Sequence, residues 1–538
     1  MNVKDIEIPY EKDRGRRYRF FEVLPGATSW SILILPFVLS TFVPKVVIFF
    51  IIAYLLLWFV KSIGMDVRAI QGYKKMELYK KLNWTDMIDD LEAGKIHHSQ
   101  KMYPDWHKRN IDRLAIAPAP VKPSDLIHAI IIATYKESRE VLEPTIQAVL
   151  ESKYDMSKVI LVLAFEERGG PDTEVRANQL VAEYKDKFMG ALAVKHPDNM
   201  PGEVRGKGGN ITFAGRELEK YLKARAIDPI RVVVTTLDSD NRPHPWYLAS
   251  VSYTYCICPE PQYISFQPIP IFTNNIWDAP APMRVVATGN SFWMTLMMLR
   301  PHILRNFSAH AQSMQTLIDT DYWSVRTIVE DGHQFWRTYF RYEGKHEVYP
   351  IFLPIFQDAV FAGGYWKTLK AQFIQMRRWA WGASDIAYVA DKGFFTPNTI
   401  SRFDVWAKWL RLMEGHVSWA TSALLIAFGA LIPALFNPKD LSSNLLPITA
   451  SRIETIALAG IFVTLYFSLK ILPPKPARYK RRRTFFMIIQ WVYLPVTTIV
   501  YSGASALYSQ TRLMFGKYLD KFDVTEKAVR TEDNKTIL

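Results

Sequence analysis

Residues 231–240 read RVVVTTLDSD, a run of apolar and β-branched side chains that stops on two aspartates. Such a run is the pattern of a buried strand. Two more lie upstream, IHAIIIA at 127–133 and VILVLAF at 159–165, with a shorter one, LAV, at 192–194. Polar residues follow the long ones: Thr134, Tyr135, Lys136 and Glu137, then Glu166 and Glu167, then Asp238, Ser239 and Asp240. Helical spacing fills the intervals at 139–151, 173–188 and 210–223. Alternating strands and helices predict an α/β domain with a mainly parallel sheet and helices on both faces. Ligands of such sheets bind beyond the carboxyl ends of the strands, where these polar residues fall.

Those ends carry the candidate chemistry. Asp238 and Asp240, at i and i+2, share one side of an extended chain and repel. A divalent cation bridging them to a diphosphate removes the conflict, while a polar turn closing a strand is the plainer reading. Glu330 and Asp331 open EDGHQFWRTYF, either as a helix cap or as a carboxylate poised as a general base. Gln375–Trp379 (QMRRW) begins an aromatic-rich helix. There Arg378 suits a diphosphate and Trp379 a sugar face, and an interfacial amphipathic helix accounts for both equally well. The GKGG at 206–209 does not match a phosphate-loop spacing, but Lys207 near a helix start can touch a phosphate. His244 and His333 read as structural histidines. Cys256 and Cys258, the only two cysteines, are too close for an unstrained disulfide and too few for a zinc site, so they read as reduced thiols.

Lys and Arg outnumber Asp and Glu by 66 to 52, so the 538-residue chain carries +14, and position decides what that charge means. Residues 29–60 are apolar apart from Lys45. They predict a hairpin of two short spans turning at Pro44-Lys45. Arg14, Arg16, Arg17 and Arg19 precede it and Lys61, Arg68, Lys74 and Lys75 follow, which puts both flanks in the cytoplasm. Further span-like stretches lie at 417–436, 454–472 and 485–507. The basic loop PPKPARYKRRR at 473–483 belongs inside and the loop 437–452 outside. The last stretch is a single span or a hairpin broken at Pro495. Membrane topology thus accounts for most of the charge, and nucleic acid is not needed as a partner. The expected layout is a cytoplasmic segment 1–28, a hairpin 29–61, a helical linker 62–122, a catalytic domain 123–365, interfacial helices 366–412, a membrane block 413–510 and a tail 511–538. That makes a multi-pass protein of the cell membrane with its catalytic domain in the cytoplasm.

The ordered set TYKES (134–138), DSD (238–240), TGNSFW (288–293), ED (330–331) and QMRRW (375–379), held between two membrane blocks, resembles the membrane-integrated family 2 glycosyltransferases. Within them it is most similar to the processive type, bacterial cellulose synthase and hyaluronan synthase. The tail FDVTEK at 522–527 extends the likeness to the F-x-V-T-x-K segment of the cellulose synthases. The resemblance implies a GT-A domain and an inverting hexosyl transfer from a nucleotide-diphosphate sugar, a UDP-sugar in preference to a GDP-sugar. The acceptor it implies is a growing polysaccharide, possible translocation included, with a single transfer to a lipid acceptor and a non-catalytic membrane scaffold as alternatives. By motif, Thr134, Tyr135, Glu137, Glu167, Lys207 and Asp238 would bind the nucleotide. Asp238 and Asp240 would hold Mg²⁺ or Mn²⁺. Gly289, Asn290, Ser291, Glu330, Gln375 and Trp379 would hold the acceptor. Asp331 would be the base, and Arg378 would meet the leaving diphosphate. The chain departs from the pattern in carrying Glu166-Glu167 for paired aspartates, Val329 before Glu330-Asp331, and QMRRW for Q-R-x-R-W. Protein partners are not specified by sequence.

Overall fold

The structure is a computed structural model that describes residues 1, 3–97 and 103–519; the tail motif at 522–527 lies outside the described residues. Two long helices open the chain, α1 (Arg16–Phe42) and α2 (Pro44–Tyr79). They meet at Val43, and Pro44 sits at the first turn of α2, where its missing N–H costs no bond. The turn falls where expected, but the helices are 27 and 36 residues long, so both continue well past the apolar stretch. Helices α3 (Trp84–Ala93) and α4 (Asp105–Ile116) lead into the α/β domain.

The sheet has eight strands: β1 (Ile127–Thr134), β2 (Val159–Glu166), β3 (Gly190–His196), β4 (Val232–Asp238), β5 (Arg242–Pro243), β6 (Ile264–Phe272), β7 (Ala311–Ser313) and β8 (Glu347–Gln357). Their order is β3-β2-β1-β4-β7-β6-β8-β5. The first four are parallel, β6 and β8 are parallel, and β7 and β5 run antiparallel to their neighbours. Alternate residues serve opposite faces. Ile130, Ile132, Leu161, Leu163 and Val233 pack under α5 (Arg139–Leu150) and α6 (Pro171–Tyr184). Ala129, Ile131, Ile160, Val162 and Val234 pack against α7 (Lys207–Lys223). Helix α8 (Tyr247–Cys256) joins the first face. Cys256 and Cys258 are buried, free thiols.

The second half of the domain interleaves α9 (Ala281–Met297), α10 (Met314–Asp319), α11 (Glu330–Arg341), α12 (Tyr365–Ala380) and α13 (Asp385–Ala390). Beyond it run α14 (Arg402–Phe428), α15 (Leu431–Phe436), α16 (Leu441–Ala457) and α17 (Gly460–Ile471). The stretch 417–436 spans the end of α14 and α15, with a break between them, and the loop expected at 437–452 shrinks to 437–440 because α16 begins at Leu441. Among the described residues, four helical segments are long and apolar enough to cross a membrane: Arg16–Phe42, Pro44–Tyr79, Leu441–Ile471 and Arg482–Met514.

The last of these packs on the α/β domain at its start and on α1 and α14 at its end. Arg483 donates to the Trp277 carbonyl at 2.8 Å and Arg284 to Gln490. Met487 and Tyr501 pack with Phe272 and Met376, and Tyr508 meets Phe373 on α12. Gln510 donates to the His416 carbonyl, and Arg19, at the start of α1, donates to the carbonyl of Leu513. A 3₁₀ turn at Gln490–Tyr493 and a π turn at Thr498–Ala504 bend the segment along this floor. The preceding basic loop is tied to the same floor, Arg478 gripping Asp278 through both carboxylate oxygens at 2.7 and 2.8 Å.

Candidate functional site

The carboxyl ends of β1, β2 and β4 lie level, since Thr134 pairs with Phe165 and Ala133 with Asp238. Just past β1, the Glu137 carboxylate accepts from the Thr134 hydroxyl at 2.8 Å and the Tyr135 amide at 2.7 Å, folding the TYKE loop back on itself. That fixes Tyr135, whose ring lies 4.7 Å under the Arg168 guanidinium. Arg168 is held by the Glu166 carboxylate. Glu167 accepts from the Asp198 amide at 3.0 Å. Beside them a cavity of about 230 Å³ opens at the ends of β2 and β3, lined by Glu166, Arg168, His196, Asp198, Glu203 and Arg205. His196 and Glu203 pair across it at 2.9 Å.

Lys207 is the first residue of α7 and reaches back under the sheet edge, nearly buried. Its Nζ lies 2.9 Å from Asp238 and 3.6 Å from Asp331. One ammonium thus joins the two carboxylates that the sequence assigned to different motifs. Burial alone would lower the Lys207 pKa, but Asp238, Asp331 and Glu330 outweigh it and hold the ammonium well above an ordinary lysine. The Ser308 hydroxyl donates to the other Asp238 oxygen at 2.6 Å. His310 Nδ1 stands 3.6 Å from Asp331, and burial keeps this imidazole below the usual histidine pKa despite that carboxylate. Asp240 is buried and accepts from the Asp358 amide at 3.0 Å.

Glu330 and Asp331 occupy the first turn of α11, where the helix dipole favours negative charge. The residue at the cap is Val329, so neither carboxylate is a capping group. Glu330 is buried against Gly208, whose added Cβ would lie 3.3 Å from the Glu330 Cβ. Burial, then the neighbouring Asp331 charge, push its carboxyl up to about 8, against the pull of Lys207 and Arg378. Arg378 on α12 is therefore within electrostatic reach of the same cluster.

The remaining candidates lie on the facing helices α9 and α12. A Cβ added at Gly289 would meet nothing within 4 Å, so α9 fronts open space there. Asn290 points at the Met376 sulfur, 4.0 Å away on α12. The Ser291 hydroxyl instead turns into the core, accepting from the Phe272 amide and donating to the Ala287 carbonyl, both at 3.0 Å. Gln375 accepts from Gln372 at 3.1 Å, and the Trp379 ring lies 6.1 Å from Phe272. His333 bonds to Asp385 at 2.7 Å in the core, and His244 accepts from the Trp246 amide. Arg168, His196, Glu203, Ser308 and His310 were not singled out from the sequence. His196 ends β3 and the others stand in turns and loops, with no recognisable spacing, and only the sheet edge gathers them.

Among the described residues no three His, Cys, Asp or Glu side chains converge on one point as a metal site. Asp238 and Asp240 offer two hard carboxylates, which is the donor set that Mg²⁺ or Mn²⁺ takes when phosphate oxygens and water complete the shell.

No family model matches the chain, and no curated protein matches it. Among solved structures, the chain is similar to the mannosyltransferase PcManGT of Pyrobaculum calidifontis, captured with GDP-Man and Mn²⁺, at 12% identity over 84% of this chain and 100% of that one, with a TM-score of 0.39. It is also similar to residues 1–349 of S. aureus TarS in complex with UDP-GlcNAc, at 11% identity over 73% of this chain and 93% of that one, with a TM-score of 0.35. At these scores and identities both are likenesses only, and the functional reading rests on the geometry of the site.

Proposed function

We propose that the protein is a membrane-integrated inverting glycosyltransferase with a GT-A domain, which moves a hexose from a nucleotide-diphosphate sugar to a growing polysaccharide at the cytoplasmic face of the cell membrane. The observation that carries this reading is Lys207 placed between Asp238 and Asp331. It brings a candidate diphosphate-binding carboxylate and a candidate base to one buried cation at the sheet edge where ligands of α/β folds bind.

In this reading the base stacks near Tyr135 and Arg168, in the cavity at the ends of β2 and β3, and a UDP-sugar is the preferred donor. Thr134 and Glu137 hold the Tyr135 loop, and Glu167 holds the lining residue Asp198, from behind the pocket. Asp238 and Asp240 would hold a divalent cation, which would neutralise diphosphate charge. The acceptor sits on the open face of α9 at Gly289 and Asn290, against Gln375 and Trp379, with Ser291 fixing that face from behind. Asp331 accepts the proton of the attacking hydroxyl as the hydroxyl oxygen bonds to the anomeric carbon. The bond from that carbon to the diphosphate breaks, and Lys207 and Arg378 meet the charge that develops on the leaving group. Glu330, its carboxyl pushed up by burial, keeps its own proton and does not compete for that of the acceptor.

The test uses the full chain in nanodiscs with Mn²⁺ or Mg²⁺ and labelled UDP- and GDP-sugars, products separated by size. A high-molecular-weight product from one donor is expected. A small product that extracts into organic solvent would replace the polymer by a lipid acceptor. Asp331→Asn should cut turnover by about 10²–10⁴-fold while nucleotide binding persists. Unchanged turnover in that variant would remove Asp331 as the base.

A further inference from the structure

A second charged cluster lies away from the sheet edge, where α2 and α14 come together. Lys61 on α2 bonds to Glu414 on α14 at 2.8 Å, which sets the two helices level. Met65 of α2, Leu299 and Ile303 of the turn after α9, and Leu412 of α14 pack on one shared apolar core. That packing brings Arg68, Arg300, His302, Arg305 and Arg411 together from three elements. Arg300 is depressed by burial and then by Arg68 and Arg411, and His302 by burial and then by Arg411, Arg300, Arg305 and Arg68. Burial and then Arg411 bring Arg305 down to about 9.

The cations exceed their counter-charges. Glu414 is taken by Lys61 and Ser418, and Asp404 by Lys408 and Tyr339. Arg305 stacks on Phe335 and Trp336, with its guanidinium carbon 4.0 and 4.7 Å from the ring centres, and so is anchored as a fixed charge. Among the described residues the side chains of Arg300 and Arg411 have neither a hydrogen bond nor an ion pair. Concentrating repelling cations at one point costs stability unless an anion joins them.

The surroundings say what kind of anion. On α2 the exposed side chains next to this face are Leu57, Val60 (66% exposed), Ile63 and Val67. On α14 they are Phe403 (83% exposed), Trp406 and Leu410. Each set recurs at three- or four-residue steps, so each helix presents an apolar stripe beside the cations. A free phosphate would have no use for those stripes, whereas a lipid places its phosphate among the cations and its chains along the apolar stripes. Guanidinium groups suit phosphate oxygens in particular, and juxtamembrane basic clusters attract anionic headgroups.

We propose that Arg68, Arg300, His302 and Arg411 form a binding site for the phosphate headgroup of an anionic membrane lipid. The site is independent of the transferase reading and needs only that α2 and the helices beside it sit in a bilayer.

The experiment is native mass spectrometry of the full chain in detergent, with phosphatidylglycerol or phosphatidylcholine added. The wild type should retain phosphatidylglycerol in preference to phosphatidylcholine. Each arginine removed should lower that retention about fivefold, so the Arg68→Gln/Arg411→Gln variant should lose most of it. Both side chains are exposed, and the single Arg411→Gln variant, which loses no hydrogen bond or ion pair among the described residues, reads the same effect if the double variant is unstable. Arg216→Gln/Lys220→Gln, exposed cations on α7, should keep wild-type retention. Equal retention by wild type and the α2/α14 variant overturns the proposal. So does an equal fall in the α7 control, which would make net charge the cause. Displacement of the lipid by inorganic phosphate would also overturn it, in favour of a free-anion site.

Discussion

Replacing Glu330 by Gln should leave the protein as stable as the wild type in mild acid and make it more stable above pH 8. In the fold the Glu330 carboxyl keeps its proton up to about pH 8, while in an unfolded chain it ionises from about pH 4.5. Between those values the folded state holds a proton that the unfolded state has released, so wild-type stability falls as pH rises. The contribution is complete below about 4.5 and gone above about 8. At about 1.4 kcal/mol per pH unit, a gap of that width bounds the loss at about 5 kcal/mol. Glutamine has nearly the same shape, no charge to bury and no repulsion with Asp331, so its variant lacks this slope. The assay is thermal unfolding of wild type and Glu330→Gln in the same detergent from pH 5 to 9. The other titrating groups are common to both proteins, and the difference between the two melting curves isolates Glu330. A difference that grows steadily with pH is expected. Two parallel profiles would mean that Glu330 is ionised in the fold, and the charge distribution assigned to the start of α11 would then be wrong.

Lys207→Met removes the cation between Asp238 and Asp331 and should destabilise the fold by about 3–5 kcal/mol at neutral pH, as breaking a buried ion pair from one side does; a melting temperature at or above the wild type would contradict the pairing. Gly289→Trp sets an indole on the face of α9 where an added Cβ meets nothing within 4 Å, and should block acceptor turnover while nucleotide binding in a fluorescence titration stays within about twofold. Gly72→Ala should cost about 1–3 kcal/mol, since its Cβ would meet the Thr295 carbonyl oxygen at 2.7 Å where α2 crosses α9, and a thermal melt reads it. Arg478→Ala breaks an exposed grip on Asp278 and should change stability by no more than about 1 kcal/mol.

The first half of the sheet was legible because its strands are apolar on both faces. β1, β2 and β4 are buried throughout or nearly so, and a strand covered on both sides reads as a continuous apolar run. The strands β6 and β8 were not legible. Each carries two prolines, Pro268 and Pro270 in one and Pro350 and Pro354 in the other, and proline inside a run argues against a central strand. The two strands pair with each other nonetheless, with a register shift between Gln267 and Ile269 that accommodates the missing donors. The terminal segment Arg482–Met514 shows the same limit from the membrane side. Its composition admits a crossing, and its contacts with Trp277, Arg284, Met376 and Arg19 come from parts of the chain far apart in sequence.

Sequence by itself determined the alternation that makes an α/β domain, the placement of polar residues at its strand ends, and the apolar stretches that flank it. These follow from local periodicity, in which each residue's neighbours along the chain carry the signal. Tertiary structure alone decided that Lys207 joins Asp238 to Asp331, that Glu330 is held neutral, that Ser291 faces the core, and that four arginines gather where α2 and α14 meet. Those facts depend on which groups approach within a few ångströms from distant parts of the chain. Burial and Coulomb energies are set by that distance and not by sequence spacing.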